Sequence, residues 1–250
     1  MGSWLVEALC LEHEVGVYDT DRNRLKYFFN SRKFLYLEDL FEYEPELLIN
    51  AVSLENTENV FRDVVPFLPE NCIISDITSV KNGLLTYYQT CGKRFVSTHP
   101  MFGPTFANIK NLKNEHAIII KESDEEGKAF FREFYSSLHL NIHEYSFREH
   151  DETIAYSLSI PFSSTLVFGS CMREQEAPGT TFRKHFEIAK GLMSENDYLL
   201  AEILLNPYSL EQIEKINQSL GDLLIMIRKK DKEGLKKFFK QVRKNIGVTQ

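Results

Sequence analysis

Ser97-Thr98-His99-Pro100-Met101-Phe102-Gly103-Pro104-Thr105 follows the run Arg94-Phe95-Val96, and shortly before it Asp76-Ile77-Thr78-Ser79-Val80-Lys81 follows Cys72-Ile73-Ile74-Ser75. Each apolar run closes in small or polar residues, the pattern of a buried parallel strand that spills into a loop. Parallel strands of one sheet release their loops at the same edge, and in open α/β sheets that carboxyl edge is where ligands bind. His99, Ser79 and Lys81 are therefore expected to converge. Taken alone, His99 reads as a histidine satisfied in a loop. Pro100 and Gly103 beside it shape the backbone without filling a core, which favours a site.

Outward from these loops, strand and helix patterns alternate. Leu47-Leu48-Ile49-Asn50-Ala51-Val52 reads as a strand, with Ser53 and Leu54 at its carboxyl end, and Ala117–Ile120 and Leu140–Tyr145 read as two more. Helical spacing fills about 56–66, 80–91 and 125–137. The alternation implies a Rossmann-like, doubly wound, mostly parallel α/β sheet over residues 1–146. From 147 to 250 no strand pattern remains and the chain reads as all-α. A long helix from about Glu149 to Met172 contains Pro161, which is expected to kink it. After a break at Glu176–Thr181 come a helix through Arg183 and Ile188, another near Asp197–Leu205, and a long pair over Leu210–Ile246. Apolar stripes on that pair read as a helical core or a subunit contact. Lys229, Lys230, Lys232, Lys236 and Lys237 read as a solvated face.

At the amino end, Met1–Cys10 reads as the opening of a helix and Val15-Gly16-Val17-Tyr18-Asp19 as a strand ending in an acid. That is the back half of a dinucleotide-binding βαβ unit, with only the last glycine of its turn, Gly2, in the chain. Asp19 stands where an acid bonds the adenosine ribose and repels a 2′-phosphate, so the expected cofactor is NAD. The plain alternative is a cap for the helix that follows. The first, central strand of such a sheet is missing from the sequence, and the natural chain is expected to carry about ten more residues upstream that form it.

With 250 residues, 43% of them hydrophobic and 26% charged, the chain has the composition of an ordinary globular protein. A net charge of -7 leaves no basic footprint for nucleic acid. Cys10, Cys72, Cys91 and Cys171 form no CxxC pair, which favours reduced thiols in the cytoplasm. There is no metal-ligand cluster. No uninterrupted apolar run reaches the roughly 18 residues of a membrane span, and no export signal stands at the amino end.

The two opening segments, together with Glu149-His150-Asp151 and Thr181-Phe182-Arg183, resemble the prephenate dehydrogenases of tyrosine biosynthesis, and the likeness covers nearly the whole chain. The resemblance implies NAD-dependent oxidative decarboxylation of prephenate to 4-hydroxyphenylpyruvate. That reaction needs a hydrogen-bond acceptor at the ring hydroxyl, cationic grips for two carboxylates and a dry nicotinamide surface, with neither metal nor covalent nucleophile. A neutral imidazole suits the first task, and the resemblance assigns it to His99. It also implies that Ser79 bonds His99 or the substrate hydroxyl, and that Arg183 grips a substrate carboxylate. Lys81 is expected beside the substrate, and the loop from Pro100 through Gly103 to Thr105 is expected to wall the pocket. Gly2, Asp19, Ser53, Leu54, Asp76, Ser79 and Pro100 fall on the cofactor side.

Helix-capping readings of Ser79 and surface readings of Lys81 and Arg183 compete with these roles. His150 and Asp151 read as a helix start or hinge. Some relatives present a histidine from the long helix, but Tyr156–Phe162 contains none, which leaves prephenate against arogenate open. The helical region is expected to pair two copies into a homodimer. Competing readings are an arogenate or other hydroxy-acid dehydrogenase, and a cofactor-less binding or dimerisation module.

Overall fold

A computed structural model describes residues 1–103 and 111–248. The chain divides into two units, Met1–Ile154 with Glu195–Glu202, and Ala155–Ser194 with Ile203–Gln250.

The first unit is built on a five-stranded sheet: β3 (Leu47–Asn50), β4 (Ile73–Asp76), β5 (Phe95–Pro100), β6 (His116–Ile120) and β7 (Asn141–Tyr145), in that spatial order. All neighbours run parallel except β5 and β6. A separate parallel pair joins β1 (Gly16–Val17) to β2 (Arg32–Lys33). Among the described residues β1 and β3 thus each pair on one side only.

The central strands are apolar on both faces, as a sheet covered on both sides requires. One cluster, with Phe61, Ile74, Leu84, Tyr88, Ile118 and Ile120, lies under α3 (Thr57–Val64) and α4 (Leu84–Thr90). The other, with Leu5, Val96, Ile119, Phe131 and Tyr135, lies under α1 (Gly2–Leu9) and α5 (Glu125–Ser137). Asp124 caps α5 by accepting from the backbone amides of Glu126 and Gly127.

β5 runs two residues further than its sequence pattern indicates, so His99 and Pro100 lie inside the strand rather than in the loop after it. The helix expected from Val80 starts only at Leu84, behind Gly83 at φ 79°. Residues 77–83 are spent on turning Lys81 back under the sheet edge.

β7 leads into α6 (Phe147–Ile154), which packs on β6 and β7. That packing places the division after Ile154 instead of after residue 146.

The second unit is helical: a π-helical turn over Ala155–Ser159, then α7 (Ile160–Cys171), α8 (Thr180–Leu192), α10 (Ser209–Arg228) and α11 (Lys232–Asn245). Between α8 and α10 in the chain, α9 (Asp197–Leu204) belongs to the first unit up to Glu202. The irregularity expected at Pro161 appears one turn earlier, because a proline cannot donate to the carbonyl four residues back and the preceding turn widens. The Ser159 hydroxyl lies 2.6 Å from that of Ser209, and the Ile203 carbonyl accepts within reach of both, at 3.2 and 2.9 Å. The stretch Phe147–Cys171 is helical throughout and long enough to cross a membrane, with a mean hydropathy of 1.3 in its most apolar window.

Candidate functional site

The site is assembled at the carboxyl edge of β4 and β5, whose parallel register sets Asp76 opposite Ser97. Asp76 is fully buried, and its carboxylate accepts from the Thr78 amide (3.0 Å), the Thr78 hydroxyl (2.7 Å), the Tyr88 hydroxyl (2.7 Å) and the Lys81 ammonium. Lys81 Nζ also donates to the Thr98 carbonyl at 2.6 Å. Burial pushes the Asp76 carboxyl up, but Lys81 and the hydroxyl donors outweigh it and hold Asp76 below the usual carboxylate range. The Lys81 ammonium is pulled below its ordinary value by the same burial.

Two expectations change here. Asp76 presents no carboxylate oxygen to a cofactor, because its donors all come from within the fold. Lys81 neither extends into water nor offers a free ammonium to substrate; it ties the loop after β4 to the end of β5.

His99 sits one residue beyond that tie and is 6% exposed. Its Nδ1 lies 3.0 Å from Nε2 of His150, which is wholly buried. His150 Nδ1 in turn lies 3.2 Å from the Asp151 carboxylate. His150 and Asp151, which read from sequence as a helix start or hinge, do lie at the start of α6. The structure also makes His150 the hydrogen-bond partner of the His99 ring, a place expected for Ser79. Ser79 is half-buried in the 77–83 loop and caps no helix.

A local signal fixes α6. Ser146 and Glu149 form a reciprocal capping box, in which the Glu149 amide donates to the serine hydroxyl and the Ser146 amide to the Glu149 carboxylate. Lys121, just past β6, pairs with Glu149 at 2.7 Å and anchors the helix start to the sheet.

Electrostatics keep the imidazoles neutral. Burial lowers His99 well below its ordinary value, with the charges of His150 and Lys81 acting in the same direction. Burial and then Lys81 bring His150 to about 3. Burial raises Asp151 to about 6, with Lys81 opposing. At neutral pH the group is an ionised Asp151 beside two uncharged rings.

On the cofactor side, Gly2 opens α1 close against the end of β3, since a Cβ there would stand 3.3 Å from that of Ala51. Asp19 follows β1, partly exposed; it accepts from the Asp21 amide at 2.8 Å and lies 3.8 Å from Arg24. Ser53 and Leu54 follow β3 at the same sheet edge. A cleft of about 260 Å³ opens there, lined by Leu54, Thr57, Glu58, Val80, Asn82 and Leu84 among others. Pro100 closes β5 opposite Ala117.

A Cβ on Gly103 would meet nothing within 4 Å, so no close approach explains that glycine among the described residues. Thr105 lies outside the described residues. Arg183 is exposed on the first turn of α8, in the second unit. The described residues hold no group of three or more potential metal-ligating side chains.

Residues 41–139 match the family model described as the prephenate dehydrogenase nucleotide-binding domain. Over that stretch the chain is similar to the nucleotide-binding domain of the prephenate dehydrogenases. It is 24% identical over 217 residues to a probable arogenate/prephenate dehydrogenase of Methanocaldococcus jannaschii, covering 81% of this chain and 48% of that protein. It is 26% identical to the prephenate dehydrogenase of Lactococcus lactis subsp. cremoris, covering 80% and 60%. The chain thus spans about half to three-fifths of the length of these curated relatives.

Among solved structures, prephenate dehydrogenase from Aquifex aeolicus in complex with hydroxyphenyl propionate and NAD+ superposes with a TM-score of 0.83 at 17% identity. The match covers 100% of this chain and 95% of that one. At that identity the likeness establishes the fold, a Rossmann-like domain with a helical one. The matched family residues include the Asp76–Lys81 loop and His99, while His150, Asp151 and Arg183 lie beyond them.

Proposed function

We propose that the protein is an NAD-dependent prephenate dehydrogenase, the reading carried by a neutral, buried His99 at the sheet edge where Ser53 and Leu54 also lie. The dinucleotide is supported by Gly2, whose missing side chain lets the start of α1 approach β3, and by the Asp19 carboxylate just past β1. When bound, NAD supplies the hydride acceptor. His99 accepts the hydrogen bond of the substrate's C4 hydroxyl and takes its proton as C4 gives up hydride. The C1–carboxylate bond then breaks, its electron pair aromatises the ring, carbon dioxide leaves, and the proton returns from His99 to the phenolate oxygen. Arg183, a planar fork on a helix, is assigned the grip on a substrate carboxylate.

A homodimer fits the second unit. No residue of α7 is buried, and on α10 Leu220, Leu224 and Ile227 are 46%, 44% and 55% exposed in one stripe at helical spacing. The free cysteines accord with a cytoplasmic setting. Arogenate is the second reading, which the absence of a histidine from Tyr156–Phe162 leaves open.

The experiment compares reduction of NAD and NADP with prephenate and with arogenate as substrate. Prephenate with NAD is expected to give the highest kcat/KM. Preference for arogenate transfers the assignment to that substrate, and turnover of neither removes it.

A further inference from the structure

The proposed function gives His99 the role of base without saying which of its ring nitrogens does the work. We propose that His150 and Asp151 are positioning residues that hold His99 in the tautomer protonated on Nδ1, leaving Nε2 as the acceptor for the substrate hydroxyl.

One chain of hydrogen bonds links Asp151, His150 and His99, and its protons can be counted. An ionised carboxylate only accepts, so the His150 nitrogen 3.2 Å from Asp151, Nδ1, must carry the hydrogen. A neutral imidazole has one N–H, which leaves Nε2 of His150 bare. That bare nitrogen lies 3.0 Å from Nδ1 of His99, so His99 must donate from Nδ1. A second bare nitrogen there would set two lone pairs against each other in a buried place. Only Nε2 of His99 then keeps a lone pair, and it is the nitrogen turned away from His150.

Geometry on either side supports the chain. The capping box at Ser146 and Glu149, held to β6 by Lys121, fixes the first turn of α6 from which His150 projects. Lys81, tied to Asp76 and to the Thr98 carbonyl, carries positive charge close enough to disfavour a second cation on either ring. When His99 takes the substrate's proton, the imidazolium that forms keeps its Nδ1–H bond to His150, and His150 keeps its bond to Asp151. The carboxylate thus steadies the charge through an intervening ring, as an outer partner does behind a metal-bound histidine.

The test is long-range 15N–1H correlation spectroscopy of the full chain labelled at histidine, near neutral pH and without ligand. His99 is expected to show a protonated Nδ1 and a bare Nε2. In Asp151→Asn, whose amide also offers a donor to His150, part of His99 should move to the Nε2–H form. Prephenate kcat should fall about 10- to 100-fold, with KM changed less than about threefold. Asp151→Glu should restore the Nδ1–H signature.

A wild-type spectrum with the proton on Nε2, or an Asp151→Asn enzyme with wild-type kcat, overturns the proposal. Should that variant fail to fold, the wild-type spectrum decides by itself. The functional reading on which the proposal rests fails separately: a fully active His99→Asn removes His99 as the base and leaves the spectrum to report the tautomer.

Discussion

Two buried imidazoles and one carboxylate give the first unit an acid sensitivity whose sign follows from their shifts. His150, at about 3, and His99, well below its ordinary value, stay neutral in the fold while the unfolded chain protonates both near 6.5. The unfolded state therefore binds more protons as pH falls, so stability is full above about 6.5 and declines below it. Asp151, raised to about 6, works in the opposite direction and offsets part of the loss below pH 6. Asp76, held low by Lys81, contributes only below the ordinary carboxylate range.

Unfolding free energies from urea titration are expected to drop between pH 7 and 5, by up to about 1.4 kcal/mol per pH unit for each histidine. His150→Gln should flatten the profile, and an unchanged slope would remove His150 as its source. The ion pair beneath behaves differently. Lys81→Met leaves a buried carboxylate without its cation, and a loss of about 3–5 kcal/mol is expected in the same unfolding assay. A loss under about 1 kcal/mol would mean that Thr78 and Tyr88 suffice.

Elements carry the next layer, and here sequence and structure part in instructive places. Alternating patterns were enough to locate β3 through β7, because strands covered on both faces read as apolar runs. They could not show β5 continuing through His99 and Pro100, since a proline there reads as a break. At the end of a strand its missing N–H costs nothing. The late start of α4 was hidden for a related reason. Thr78 bonds the Asp76 carboxylate and Lys81 folds back to it, local bonds that compete with helix formation.

The loop signatures around Asp76 and His99 were legible as a convergence, yet Lys81 looked like a first-turn lysine. His150 looked like a helix start because sequence spacing cannot show which strand a helix faces. The Ser146–Glu149 box was readable and would have placed the start of α6.

Gly127 tests how closely α5 lies on the sheet. A Cβ there would stand 2.8 Å from Cβ and 2.9 Å from Cγ1 of Val96. In an open helix an alanine would be favoured over glycine by about 1 kcal/mol. Here Gly127→Ala should instead destabilise by about 1–3 kcal/mol, since α5 must lift from β5. A gain in melting temperature would show that the helix has room to shift.

For the molecule as a whole, the exposed apolar stripes of the helical unit predict association. Leu220, Leu224 and Ile227 on α10, and Phe239 and Val242 on α11 with Ile246 just after it, recur at helical spacing and are exposed in a single chain. Sedimentation should report a dimer at micromolar concentration, and Leu224→Glu with Ile227→Glu should give a monomer with unchanged circular dichroism. A wild-type monomer would leave those stripes without an assigned partner.

The proposed substrate chemistry is the other whole-molecule property, and the proposal rests on the nitrogen that His99 offers at the sheet edge. Its most direct measurement is the kcat/KM of His99→Asn against wild type for NAD reduction by prephenate. The expected fall is about 10²- to 10⁴-fold with NAD affinity unchanged. A variant within about twofold of wild type would contradict the account.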